Sequence, residues 1–179
     1  YEIRPRDWSS DVCSSDLPKT ENQKKLVKAI KENEITIASG LPGSGKTFLS
    51  IAEAIKLLKS TELPFRKIIL VKSVTTLKDE EIGFLKGTME EKMEPFMDSF
   101  LDNFIKIIGE QFTNKLREMG LIQIKPIAYV RGRSIDNSII IIDEAQNISL
   151  DNMRTLMTSI GDNSRLIILR DVKQKDIRN

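Results

Sequence analysis

Histidine is absent from the 179 residues. Its absence removes histidine bases, histidine-centred triads and most zinc sites from consideration. Cysteine occurs once, at Cys13, so no disulfide within the chain and no cysteine cluster around a metal can form. Aromatic residues make up only 6% and tryptophan occurs once. No apolar run approaches the roughly 20 residues of a membrane-spanning helix, and no signal peptide is visible. A cytoplasmic location without membrane contact is the expectation. The net charge of +2 is too small to imply a nucleic-acid partner by itself. What is present is ordinary: 40% apolar and 30% charged residues, enough chain for one domain with a substantial core.

The strongest local signal is Gly40-Leu41-Pro42-Gly43-Ser44-Gly45-Lys46-Thr47. It fits G-x-x-x-x-G-K-[ST], the phosphate-binding loop. A β-branched run, Glu34 to Ser39, precedes it, and an apolar pattern at helical spacing, Phe48 to Lys59, follows. Strand, loop and helix is the context this motif needs. Glycines let the backbone turn tightly and bring bare N–H groups to phosphate oxygens, and the helix N-terminus adds partial positive charge. Lys46 is expected to reach the β- and γ-phosphates, and the Thr47 hydroxyl to ligate Mg²⁺. The loop residues from Gly40 through Thr47 form the expected nucleotide cradle.

A second signal lies about a hundred residues later. Ser138 through Ile142, with four consecutive isoleucines, predicts a strand buried on both faces. Asp143 and Glu144 end it, the Walker B pattern. Asp143 is expected to hold Mg²⁺ through its water shell, and Glu144 to act as general base toward the attacking water.

Between these motifs the pattern alternates. Thr20 to Gln23 fits a capping box opening a helix to about Asn33. Gln23 has two readings: a helix cap, or the glutamine that helicase-like ATPases place before the loop to read adenine, since an amide can pair with N6 and N7. Lys67 to Lys72 predicts a second buried strand. Thr88 to Glu91 fits another capping box, followed by a Met and Phe stripe through Ile108 that reads as core. Gly109 ends that helix, and a short one follows to Met119. Ile122 to Lys125 reads as a brief strand, and Pro126 to Ser134 as a loop. Ser149 is expected to cap a helix closed by Gly161. Arg165 to Leu169 is the last strand; resemblance to P-loop ATPases with a catalytic glutamate implies that it lies between the loop strand and the Asp143 strand, with Gln174 as the candidate sensor of the γ-phosphate.

Tyr1 to Leu17 stands apart. It holds the only tryptophan and cysteine and has no strand or helix period. It resembles a translated sequencing adaptor, Trp8 to Asp16 reading as codons of a common adaptor end. Residues 1–17 are therefore expected to be artefactual or disordered, and residues 18–179 to be the domain.

From Thr20 to Asn179 the chain resembles the PhoH-like family, phosphate-starvation-associated P-loop ATPases related to the first domain of superfamily 1 helicases. The resemblance is carried by Asn22-Gln23, the loop, Glu81 to Leu85, Glu91 to Pro95, Tyr129 to Ser134, Asp143-Glu144-Ala145-Gln146-Asn147, and Asp171 with Gln174. Lys72-Ser73 is similar to the phage-encoded branch. The resemblance implies an α/β fold: a parallel sheet flanked by helices, with a helicase- or RecA-like core. It implies Mg²⁺-dependent ATP hydrolysis, ring-like homo-oligomers, and single-stranded RNA or DNA as partner. Arg131 and Arg133 are then expected to act in trans on a neighbour's γ-phosphate. Nucleotide-gated binding or assembly with negligible turnover remains the alternative. A small-molecule kinase is disfavoured, because no acceptor-site motif or lid is visible. The family pattern has a further strand beyond the loop strand, so the domain is expected to be incomplete at its C-terminus. The family also has glycine where Arg170 stands, so the arginine is expected either to strain the backbone there or to turn its guanidinium into the nucleotide pocket, displacing Gln174.

Overall fold

The computed structural model describes residues 18–72, 89–130 and 134–172. In chain order the elements are α1 Glu21–Glu32, β1 Ile35–Gly40, α2 Lys46–Lys59, β2 Lys67–Lys72, α3 Met89–Ile108, α4 Glu110–Glu118, β3 Ile122–Pro126, α5 Ile127–Val130, β4 Ser138–Asp143, a 3₁₀ turn Ala145–Asn147, α6 Leu150–Thr158 and β5 Arg165–Asp171. The five strands form one sheet in the order β1-β5-β4-β2-β3, all pairs parallel. β5 lies between the loop strand and the Asp143 strand, as the sequence suggests.

Strand alternation builds two cores from one isoleucine run. Ile139 and Ile141 point to the face covered by α1 to α4, where they meet Ile51, Ile55, Phe100, Phe104 and Leu116. Ile140 and Ile142 point to the other face, against Val130, Ile148 and Leu156 from α5, the 3₁₀ turn and α6. A strand buried on both faces needs apolar residues at every position, which explains the unbroken run. β1 differs. It pairs only with β5 among the described strands. Thr36 on one face is buried, whereas Ile35 and Ile37 on the other are 45% and 68% exposed.

Caps set the helix starts. Thr20 accepts from the Gln23 backbone N–H, and the Gln23 side chain accepts from the Thr20 N–H, completing the capping box. Ser149 Oγ accepts from Asn152 N at 3.3 Å. Gly109, at φ 80°, separates α3 from α4. Glu53 on α2 is a buried carboxylate, with Lys31 Nζ at 3.7 Å and Lys56 Nζ at 3.8 Å to compensate it. Burial pulls the pKa of Arg165 below its ordinary value, against the opposing pull of Glu53 and Glu34.

Two expectations change. The segment after β3 contains a one-turn helix, α5, where only a loop was expected. Four residues are too few to show a period, and packing of Ile127 and Val130 into the second core decides the conformation. Arg170 carries no strain. It lies within β5 opposite Ser39, is exposed, and is not among the residues with positive φ. The expected capping box at Thr88, the Glu80 to Gly87 loop and residues 1–17 lie outside the described residues.

The turn from α6 into β5 is tied to the segment before β4. Ile135 N donates to Ser159 O, and Gly161 N donates to Ile135 O, each at 2.9 Å. The Asp136 carboxylate accepts from Ser134 Oγ at 2.8 Å and from Asp162 N at 3.0 Å. A Cβ on Gly161 would lie 1.7 Å from Asp136 Oδ1. Gly161→Ala is therefore expected to cost about 1–3 kcal/mol, the range for overpacking. Thermal unfolding checks this: at about 2–4 °C per kcal/mol for a chain of this size, the midpoint falls by several degrees.

Candidate nucleotide-binding site

The carboxyl ends of β1, β5 and β4 lie side by side, with Gly40 opposite Asp171 and Ile142 opposite Ile168. Open parallel sheets bind ligands at this end. The chain leaves β1 through the glycine loop and enters α2. Gly43 and Gly45 hold φ of 73° and 83°, left-handed values that a side chain resists. Gly45 is the N-cap of α2, and Leu49 N to Gly45 O at 2.9 Å is the first intrahelical bond. The N–H groups of Lys46, Thr47 and Phe48 therefore have no acceptor within the helix and face the loop. Three backbone donors, a helix N-terminus and a lysine suit a polyphosphate.

Thr47 Oγ1 donates to Asp143 Oδ2 at 3.0 Å, joining the two motifs across 96 positions of sequence. These are hard oxygen donors, the kind Mg²⁺ takes beside nucleotide phosphates while keeping several waters. One hydroxyl and one carboxylate at the mouth of the loop therefore fit that ion. Asp143 Oδ1 accepts from Glu144 N at 3.0 Å. Glu144 has φ 52° and ψ 40°, the left-handed region, unusual for a residue with a Cβ. This conformation turns the chain off β4 into the 3₁₀ turn, where Asn147 N donates to Glu144 O at 2.9 Å. Strained backbone at such a position is a recurrent feature of functional sites.

Lys46 Nζ lies 2.7 Å from Asp171 Oδ1 and also contacts Leu41 O at 2.7 Å, Ser44 Oγ at 3.2 Å and Gly40 O at 3.3 Å. Asp171 N donates to Gln146 Oε1 at 3.0 Å. Gln23 reaches the loop from α1: its Nε2 donates to Ser44 O at 3.1 Å while Oε1 serves the helix cap. The structure thus brings together Gln23, the loop, Lys46, Thr47, Asp143 and Glu144. Arg131, Arg133 and Gln174 lie outside the described residues. Asp171 and Gln146 were visible in the sequence only as parts of motifs. The signal that could have singled out Asp171 was the expected β1–β5 pairing, which puts the end of the last strand beside Gly40.

A parallel sheet, a glycine loop capping the helix after β1, and a carboxylate pair two strands away together make an α/β P-loop nucleoside-triphosphatase fold. No helix among the described residues is long and apolar enough to cross a membrane. The family described as "PhoH-like protein" matches residues 17–179. The PhoH-like protein of Bacillus subtilis (strain 168) is 37% identical over 159 residues, covering 89% of this chain and 49% of that protein. The PhoH-like protein of Mycobacterium tuberculosis (strain ATCC 25618 / H37Rv) is 36% identical over 160 residues, covering 89% and 45%. Protein PhoH of Escherichia coli (strain K12) is 35% identical over 163 residues, covering 90% and 45%. Among solved structures, the large terminase of a thermophilic bacteriophage superposes with a TM-score of 0.47 at 10% identity, covering 84% of this chain and 38% of the terminase. The chain spans about half the length of the PhoH relatives it matches. With the family match running over almost the whole chain and the loop, strand and carboxylate pair in register, this chain belongs to the PhoH-like family.

Proposed function

We propose that this chain binds and hydrolyses ATP with Mg²⁺, as one subunit of a homo-oligomeric ring acting on single-stranded RNA or DNA. The observation that supports it most is the Thr47–Asp143 contact beside Lys46. Thr47 and Asp143 would hold Mg²⁺, which neutralises charge on the β- and γ-phosphates. The loop N–H groups and Lys46 orient the triphosphate. Glu144 takes a proton from water as its oxygen attacks the γ-phosphorus, and ADP leaves. Gln174 is the candidate sensor of the γ-phosphate, and Arg131 and Arg133 are the candidates for stabilising charge in a neighbour's site.

Phosphate release measured with Mg²⁺, with and without single-stranded RNA or DNA, tests this reading. Release stimulated by either polymer supports it; ATP binding without turnover favours the assembly-module alternative. Lys46→Ala is expected to weaken ATP binding by roughly 10–100-fold, the loss of a charge-assisted contact. Binding of unchanged affinity in that variant would remove the loop from the site.

Gln23 supports a choice of base. Gln23 Nε2 keeps one N–H beyond the Ser44 carbonyl, whereas Oε1 already accepts from Lys19 N and Thr20 N and would release one of these cap bonds to meet the adenine amino group. Gln23→Ala is expected to weaken ATP about tenfold more than GTP, within the range for one bidentate amide–adenine pair. Equal losses for both nucleotides in a competition assay would leave Gln23 as a cap and loop tether alone.

A further inference from the structure

We propose that Asp171 is the counter-ion against which nucleotide phosphates compete for Lys46, and that Gln146 positions it. This rests on the reading of the loop as a nucleotide site and adds a residue to it.

A lysine ammonium has three N–H donors. Four acceptors already surround Lys46 Nζ: Asp171 Oδ1, Leu41 O, Ser44 Oγ and Gly40 O. Its bonding capacity is therefore taken up within the protein. A phosphate oxygen reaches Lys46 only by displacing one of these partners. The displaced partner is Asp171, for two reasons. Asp171 is the charged acceptor of the four, and a carboxylate beside a polyphosphate is repelled by it. The three other acceptors belong to the loop itself, two of them backbone carbonyls fixed by the loop's conformation. The pair is also well shielded, with side chains 11% and 20% exposed, so its attraction is screened less than that of a surface pair.

The backbone of Asp171 cannot follow the side chain. Its N–H is held by Gln146 Oε1, and Val172 N donates to Gly40 O at 3.1 Å. The carboxylate must swing by rotating its side chain while the strand end stays in place. Gln146 lies two residues beyond Glu144, in the 3₁₀ turn that begins at that residue. The other end of its amide, Nε2, is buried and has no hydrogen-bond partner among the described residues. The acceptor it lacks is supplied when the Asp171 carboxylate leaves Lys46 and turns toward Gln146. One exchange then links the loop, the last strand and the turn that carries Glu144. ATP and ADP both present phosphates to Lys46, so both must displace Asp171. On product loss the carboxylate recaptures the lysine and speeds departure.

The test compares wild type with Asp171→Asn by titration calorimetry with ATP and with ADP, and by the rate of ADP release. Removing the competing charge while keeping the shape is expected to tighten both nucleotides, on the order of tenfold for one charge-assisted contact. ADP release is expected to slow in proportion. A residue that merely supports the fold would shift affinity in the opposite direction. Asp171→Glu, which keeps the carboxylate, is expected to bind like wild type. Should Asp171→Asn fail to fold, the side-chain carboxylate ¹³C resonance of Asp171 in the wild-type protein is followed while ADP is added. A shift supports the exchange, and a resonance that holds still overturns it. Wild-type protein that binds neither nucleotide overturns the site reading and this proposal with it. Wild-type binding with unchanged or weaker affinity in folded Asp171→Asn overturns the competition alone.

Discussion

Glu144→Gln protein is expected to bind ATP as tightly as the parent while releasing phosphate about 10²–10⁴-fold more slowly, the range for removing one general base. The substitution keeps the size and hydrogen-bonding shape of the side chain but removes its proton acceptor. Nothing that holds the triphosphate is touched, because the loop N–H groups and Lys46 come from the β1–α2 connection and the start of α2, whereas Glu144 follows β4. The backbone at Glu144 is left-handed, so glutamine meets the same strain as glutamate and adds none. Single-turnover phosphate release and a parallel binding titration separate the two effects. Turnover equal to the parent would remove Glu144 from catalysis. Loss of binding would instead mean that the carboxylate supports the cation and phosphates.

Replacing both Arg131 and Arg133 by alanine is expected to lower turnover by roughly 10³–10⁵-fold, the contribution of an arginine supplied in trans. The expectation rests on the proposed ring, in which each subunit lends charge to the γ-phosphate held by its neighbour. Mixing the double-alanine protein with Glu144→Gln protein distinguishes this from an ordinary loss. Partial recovery of turnover is expected, because some interfaces then pair an intact Glu144 with intact arginines. No recovery at any mixing ratio would end the shared-site idea.

Much of this site was legible in the sequence because its parts are local. A glycine loop requires its residues within eight positions, and a capping box within four, so Gly40 to Thr47 and Thr20 to Gln23 could be read directly. The two-faced burial of β4 was legible for the same reason: Ile139 to Ile142 leave no polar face. The contacts between segments were harder to see. Lys46 and Asp171 meet because β1 and β5 pair in a particular register, which residue patterns constrain but do not specify. α5 was hidden because one turn carries no period. Arg170 was misread because the departure from glycine drew attention to its backbone, whereas strand alternation simply turns its side chain away from the face Asp171 occupies.

The pairing of β1 with β5 also sets the order in which the molecule can assemble. Ile35 meets Leu166 and Gly40 meets Asp171, so the first of the described strands is paired by the last of them. β2, β3 and β4 can pair as soon as they exist, but β1 has no described neighbour until β5 arrives. Closing so long a loop costs entropy before any contact repays it, and parallel pairings of high sequence separation fold slowly. The phosphate loop hangs from β1, so it takes its working shape only when that final pairing closes. A chain cut short before Arg165 would carry both nucleotide motifs in its sequence and yet have no strand to hold them together. On a growing polypeptide, nucleotide capture thus waits for β5, and it reports that β1 has been paired.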